Sequence, residues 1–152
     1  MLEPGDKAPS FALADQSGRT VKLSDFKGRR VLVYFYPKAD TPGCTTQACG
    51  LRDVANDVGD TAIIGVSPDP PRRQAKFDEK YGLGFPLLSD EDHAVADAFG
   101  AWGERSMYGK KYMGIVRSAF LIDEDGKVAQ PWPRISPKDT PTNLLKALAA
   151  SS

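Results

Sequence analysis

The sequence predicts an α/β fold: a mixed central β-sheet with helices on both faces and a β-hairpin at the N-terminus. The runs Val31-Leu32-Val33-Tyr34-Phe35-Tyr36 and Ala62-Ile63-Ile64-Gly65-Val66-Ser67 are continuous, apolar and rich in β-branched or aromatic residues. That is the pattern of strands buried on both faces. Stretches with helical spacing and distinct stop signals separate such runs, and the resulting order, β-α-β-α-β-α-β-β-α, is that of an α/β sheet. At 152 residues, 41% apolar and 26% charged, with neither internal repeats nor a dividing linker, the chain reads as one domain over residues 1–152.

Phe11-Ala12-Leu13 and Thr20-Val21-Lys22-Leu23 are short alternating pieces joined through Asp15-Gln16-Ser17-Gly18, a hairpin added to the sheet. Pro37 ends the strand that begins at Val31. From Cys44 to about Val58, the residues Cys44, Ala48, Leu51, Val54, Ala55 and Val58 recur at helical spacing, and Gly59 is the stop. After the second apolar strand, Pro70-Pro71 open a helix that runs to Tyr81 and closes at Gly82. Phe85-Pro86-Leu87-Leu88 reads as a short edge or terminal strand, because Pro86 cannot donate to a ladder. Asp92 to Phe99 is a short helix with Val95, Ala96 and Phe99 inward. Gly100 to Gly114, rich in glycine, basic side chains and aromatics, reads as a loop. Ile115 to Asp123 and Lys127 to Gln130 flank Glu124-Asp125-Gly126 as a hairpin. Pro141 to Ala150 makes a closing helix with Leu144, Leu145 and Leu148 inward.

Twenty basic side chains balance twenty acidic ones, and the pI is near 6.6. There is no basic footprint for nucleic acid and no polybasic face for a membrane. The polar, turn-rich start Met1-Leu2-Glu3-Pro4-Gly5-Asp6-Lys7 reads as an uncleaved cytosolic N-terminus, and no apolar run approaches the roughly 20 residues that span a bilayer. Two cysteines and one histidine build neither a four-ligand zinc site nor a disulfide framework. In a reducing cytoplasm a cysteine pair is more often catalytic or redox-active than structural.

Thr41 falls at an N-cap, Pro42 at N1, Gly43 at N2 and Cys44 at N3. A capping box places a carboxylate at N3, so a sulfur stands here where an anion is favoured. Free amides and the positive end of the helix favour thiolate over thiol. Cys44 is therefore the candidate nucleophile, and the plainer reading is a small apolar helix residue. Cys49 follows on the same helix. At ~1.5 Å rise and ~100° per residue its Cα lies roughly 8–9 Å from that of Cys44, beyond the reach of about 7 Å that a disulfide allows. The pair cannot close while the helix is intact: Cys49 is either a partner that requires the first turns to unwind or a buried structural thiol.

Pro37-Lys38-Ala39-Asp40-Thr41-Pro42-Gly43-Cys44 fits Pro-x-x-x-Thr-x-x-Cys, and with Thr45-Thr46-Gln47-Ala48-Cys49 the segment resembles the peroxiredoxins, specifically their bacterioferritin comigratory protein or peroxiredoxin Q branch. The likeness continues through Gly65-Val66-Ser67-Pro68-Asp69, Phe85-Pro86-Leu87-Leu88-Ser89-Asp90, Tyr108-Gly109-Lys110 and Arg117-Ser118-Ala119-Phe120-Leu121-Ile122-Asp123, and covers nearly the whole chain. The resemblance implies a thioredoxin-like fold and a thiol peroxidase that reduces hydrogen peroxide and organic hydroperoxides. It implies that Cys44 is the peroxidatic thiolate, and that Thr41 and the amides at the helix start, Gly43 among them, hold the peroxide. Pro37 would shield the site from water. Arg117, in a strand, would donate to thiolate and peroxide, and Gln47 would support the arginine. The sulfenic acid left on Cys44 would condense with Cys49 as resolving cysteine, and thioredoxin or a similar dithiol would reduce the disulfide. No metal, haem or flavin is implied, and the branch suggests a monomer.

His93, in an acidic stretch, reads as part of a solvated helix start, and Asp123-Glu124-Asp125-Gly126 as a turn without the glutamate a calcium loop needs. Arg72-Arg73 and Lys110-Lys111 read as solvated charges, and Trp102, Met107, Tyr108, Tyr112 and Met113 as packing around the rim of the site. Pro131-Trp132-Pro133-Arg134 departs from the family pattern. Two other functions compete. A general dithiol–disulfide oxidoreductase is disfavoured by the lack of a Cys-x-x-Cys pair, and a non-enzymatic redox-switch binding module would use the unwinding without turnover.

Overall fold

In the computed structural model of the chain, which describes residues 2–150, the two apolar runs are neighbouring parallel strands. The elements are β1 (Ala12–Ala14), β2 (Thr20–Lys22), β3 (Val31–Phe35), α1 (Pro42–Asp53), β4 (Ala62–Ser67), α2 (Pro71–Tyr81) and β5 (Leu87–Ser89). They are followed by α3 (Ala94–Ala98), β6 (Trp102–Met107), β7 (Lys110–Ile115), β8 (Ser118–Ile122), β9 (Val128–Trp132) and α4 (Thr140–Ala150). Seven strands form one mixed sheet in the order β2-β1-β5-β4-β3-β8-β9. Within it β3, β4 and β5 run parallel, while β8 pairs antiparallel with β3.

Alternation along β3 explains its unbroken apolar sequence. Leu32 and Tyr34, with Tyr36 just beyond the strand, face a layer completed by Cys44, Ala48 and Leu51 of α1, Phe77 of α2 and Leu144 of α4. Val31, Val33 and Phe35 face the opposite layer, with Phe11, Ala96 of α3, Phe99 and Ile115. Every residue of β3 is at most 1% exposed. Complete burial of such side chains contributes about 1.5–3 kcal/mol each, so the strand that ends at the cysteine loop is firmly held. The Asp15–Gly18 turn is also a structural tie: Gln16 donates to the Phe85 carbonyl at 2.9 Å and accepts from the Leu87 amide at 2.9 Å.

Several sequence expectations are corrected. Helix α1 stops at Asp53, not near Val58, because the chain tightens into three-residue turns, with Val54 and Ala55 amides donating to Leu51 and Arg52 carbonyls. Val58 keeps the apolar rhythm by packing into the core from outside the helix. Strand β5 is no edge, since it lies between β1 and β4; Pro86 sits just ahead of it and needs no ladder donor. The segment Gly100–Gly114 is not a loop but the two-stranded hairpin β6–β7, in register from Trp102↔Ile115 to Met107↔Lys110. Tyr108 and Gly109 turn it with positive φ of 53° and 78°, the backbone of a two-residue primed turn. Most of its side chains are exposed, so no burial alternation marked it. His93 is not a solvated helix residue: it takes a positive φ at the N-cap of α3 and stacks on Trp102, with ring centroids 3.7 Å apart. Arg117 lies immediately before β8 rather than within it.

Candidate active site

The site forms where β3 leaves the sheet and α1 begins, at the carboxyl ends of parallel strands where open α/β sheets place their ligands. The loop between them is pinned from below. Asp69 accepts from the Ala39 amide and from the Ser67 hydroxyl, each at 2.7 Å. Gln74 donates to Ser67 at 2.8 Å and accepts from the Tyr36 hydroxyl at 2.5 Å. Burial raises the Tyr36 phenol far above its usual value, so it remains a neutral donor in this network. Asp40 then turns the chain with a φ of 61°. Its carboxylate accepts from Lys80 at 3.0 Å and from the Tyr81 hydroxyl at 2.9 Å, and these hydrogen bonds hold its pKa below the usual aspartate value.

Thr41 is the N-cap of α1 and Pro42 is N1, as the sequence predicted. The Thr41 side chain does not cap the helix, however; its hydroxyl donates to the Lys38 carbonyl at 2.8 Å. Proline brings no N–H, so the unpaired amides at this end belong to Gly43 and Cys44. Cys44 is buried at 1% exposure, with Cys49 partly exposed one and a half turns later. Both thiols are free on an intact helix.

Arg117 reaches this helix start from the β7–β8 connection. Its Nη2 donates to Cys44 Sγ at 3.3 Å and its Nη1 to Gln47 Oε1 at 2.7 Å. Gln47 is completely buried, and its Nε2 donates to Thr140 Oγ1 at 3.0 Å; Thr140 donates in turn to the Ser136 carbonyl at 2.8 Å. A continuous chain of hydrogen bonds therefore runs from the Cys44 sulfur to the start of α4. Gly43 leaves room for the guanidinium: a Cβ there would lie 3.2 Å from Arg117 Nη2. Gly50 performs the same service for α4, since a Cβ there would lie 2.8 Å from Pro141 Cγ.

Cys44, Gly43, Gln47 and Arg117 thus meet directly, and Thr41 and half-buried Pro37 border them on the same loop. Sequence reasoning missed Thr140, Ser136, Ser67, Asp69 and Gln74. Their hydrogen bonds join segments far apart in the chain, and no local spacing signals such partners. The buried Tyr34 hydroxyl also stands out, because it has no hydrogen-bond partner among the described residues and burial raises its pKa well above the usual phenol value.

A buried thiol at a helix start, facing a fixed guanidinium above a mixed sheet, defines a thiol-based redox enzyme of thioredoxin-like fold. The AhpC/TSA family profile matches residues 4–130. Peroxiredoxin Bcp of Escherichia coli strain K12 is 57% identical over 129 residues, covering 84% of this chain and 83% of that protein. Peroxiredoxin Bcp of Bacillus subtilis is 47% identical over 149 residues, covering 97% and 95%. Among solved structures, peroxidoxin BcpB of Mycobacterium tuberculosis superposes with a TM-score of 0.88 at 37% identity, covering 100% of this chain and 99% of that one. Bacterioferritin comigratory protein of Xanthomonas campestris, studied for its alkyl peroxide reduction activity, superposes with a TM-score of 0.86 at 36% identity over 93% and 91%. The chain belongs to the AhpC/TSA family and is a peroxiredoxin, a thiol peroxidase.

Proposed function

We propose that Cys44 is the peroxidatic cysteine and Cys49 its resolving partner in an intramolecular cycle. The supporting observation is the Arg117 guanidinium, held by Gln47 and donating to the Cys44 sulfur at 3.3 Å. The thiolate attacks one peroxide oxygen, an S–O bond forms as the O–O bond breaks, and the departing alkoxide or hydroxide takes a proton to leave as alcohol or water. Arg117 stabilises the thiolate and the charge moving onto the leaving oxygen. The Thr41 hydroxyl already donates its hydrogen bond to the Lys38 carbonyl, so its oxygen accepts from the peroxide O–H, while the Gly43 and Cys44 amides donate. Pro37 limits water at the rim.

The sulfenic acid on Cys44 then meets the Cys49 thiol, an S–S bond forms and water leaves. Because both residues lie on α1, the first turns must unwind for this step. A dithiol protein such as thioredoxin restores both thiols by exchange. The reading includes a cytoplasmic, monomeric enzyme; among the described residues no helix is long and apolar enough to cross a membrane.

The test is intact-mass analysis after one equivalent of hydrogen peroxide. The wild type loses the mass of two hydrogen atoms, with the link mapped to Cys44–Cys49. Cys44→Ser shows no turnover, and Cys49→Ser oxidises once and stalls until an external thiol is added. A product of dimer mass would overturn the intramolecular cycle, and undiminished turnover in Cys44→Ser would overturn the site.

A further inference from the structure

We propose that the cavity behind Arg117 is a carboxylate-binding subsite that holds a small reactant of the peroxidase cycle. The proposal rests on the roles given above to Cys44 and Arg117. The cavity has a volume of about 330 Å³ and is lined by Arg105, Val116, Arg117, Arg134, Ile135 and Ser136. Three arginines line one space, and its lining among the described residues contains no carboxylate. Among the described residues, none of the three forms a salt bridge with a carboxylate, and only Arg117 faces another anion, the Cys44 sulfur in its thiolate form. The chain has as many acidic as basic side chains, so neutralising partners were available in its composition and are absent from this place. The Cys44 thiolate balances one of the three charges at most, so a further anion relieves the remaining repulsion, and the planar forks of arginine suit a carboxylate.

Two of the arginines are already set in position by uncharged acceptors. Arg117 is held by Gln47 at 2.7 Å, and Arg105 Nη1 donates to the Ile115 carbonyl at 2.9 Å. Neither bond cancels a positive charge, and both leave N–H groups free. The exposed Arg134 is brought alongside by its neighbour, because the Ile135 amide donates to the Arg117 carbonyl at 3.1 Å. Val116 and Ile135 add an apolar wall. A ligand with a short carbon body and a terminal carboxylate satisfies both parts of this lining. Arg117 belongs to the cavity and also touches the Cys44 sulfur, so the reactive end of such a ligand lies on the side of the thiol. The carboxylate can be carried by either of two reactants, the hydroperoxide or the reducing thiol.

The experiment measures single-turnover rates for the wild type, Arg134→Gln and Arg105→Gln with two matched pairs of reagents. One pair is tert-pentyl hydroperoxide and its analogue whose chain ends in a carboxylate, used to oxidise the reduced enzyme. The other is mercaptoethanol and mercaptoacetate, used to reduce the oxidised enzyme. Comparing each variant with the wild type cancels the intrinsic reactivity of each reagent. Partly exposed charge-assisted bonds should make the substitutions about three- to tenfold slower with a carboxylate reagent, the effect shrinking with added salt. A selective loss with the carboxylate hydroperoxide assigns the subsite to the oxidant, and one with mercaptoacetate assigns it to the reductant. Equal ratios for charged and neutral reagents in both variants overturn the subsite. The neutral hydroperoxide separately reports whether the Cys44 chemistry itself is as proposed, so the two readings fail independently.

Discussion

Replacing Gln47 by leucine removes the amide that holds Arg117 while keeping an apolar side chain of similar volume in a fully buried position. Two bonds are lost, the 2.7 Å bond from Arg117 and the 3.0 Å bond to Thr140. A hydrogen bond to a charged group contributes about 1.5–3 kcal/mol. Because the same guanidinium donates to Cys44, that loss appears in the barrier, and the second-order rate of Cys44 oxidation should fall by about ten- to 150-fold. The neutral bond to Thr140, worth about 0.5–1.5 kcal/mol, appears in stability instead, at about 2–4 °C of melting temperature per kcal/mol for a chain of this size. Gln47→Glu separates the two effects. Its carboxylate accepts from Arg117 but has no proton for Thr140, whose own proton already goes to Ser136. The rate should recover while the melting defect remains. Stopped-flow fluorescence follows the oxidation, with Trp132, packed against the layer that contains Cys44, as reporter. A leucine variant within twofold of the wild type, or a glutamate variant as slow as leucine, refutes the positioning role.

Gly50→Ala should lower both melting temperature and oxidation rate, although alanine is the better helix former by about 1 kcal/mol. The new Cβ would meet the Pro141 ring at 2.8 Å, displacing the residue next to Thr140, and a stabilised variant in a thermal melt contradicts this. Asp40→Asn should change stability in a pH-dependent way. The folded carboxyl has a pKa below its ordinary value of 3.8, so its contribution is present above that value and is lost as the pH falls through the folded value. The difference in melting temperature between the two proteins should persist near neutrality and disappear in acid; a difference constant with pH contradicts it.

The sheet was legible in the sequence because burial on both faces forces unbroken apolar runs, and β3 and β4 have no alternative reading. Helix α2 was legible at both ends because Pro70-Pro71 and Gly82 are local conformational signals, and Gly82 takes the left-handed backbone that such a cap requires. The start of α1, with Cys44 at N3, was readable for the same reason. Hairpin β6–β7 was hidden because its strands are held by their mutual pairing and by Trp102 stacking on His93, neither of which leaves a periodic trace. Within the site, Cys44, Thr41 and Arg117 announced themselves through a motif that composition alone could not supply. Thr140 and Asp69 did not, because their roles follow from which segments the fold brings together.

In the proposed cycle the first turns of α1 must open for the resolving step, and the start of that helix lacks a side-chain cap. Gly50 costs the helix interior up to about 1 kcal/mol relative to alanine, and Gly43 stands in the first turn. The Thr41 hydroxyl forgoes the cap bond, worth about 1 kcal/mol more. A helix start without its side-chain cap persists through tertiary contacts: Arg117 on the sulfur, Gln47 on Thr140, and the burial of Cys44, Ala48 and Leu51. Oxidation acts on the first of these. In the proposed cycle a neutral sulfenic acid replaces a thiolate as the partner of Arg117, and a charge-assisted bond is about twice as strong as a neutral one. On that cycle peroxide weakens the contact that compensates for the missing cap, at the step in which Cys49, as the proposed resolving residue, needs the turn to open. Leu51, completely buried just beyond Cys49, keeps the rest of the helix docked, which confines the opening to the segment that carries both thiols.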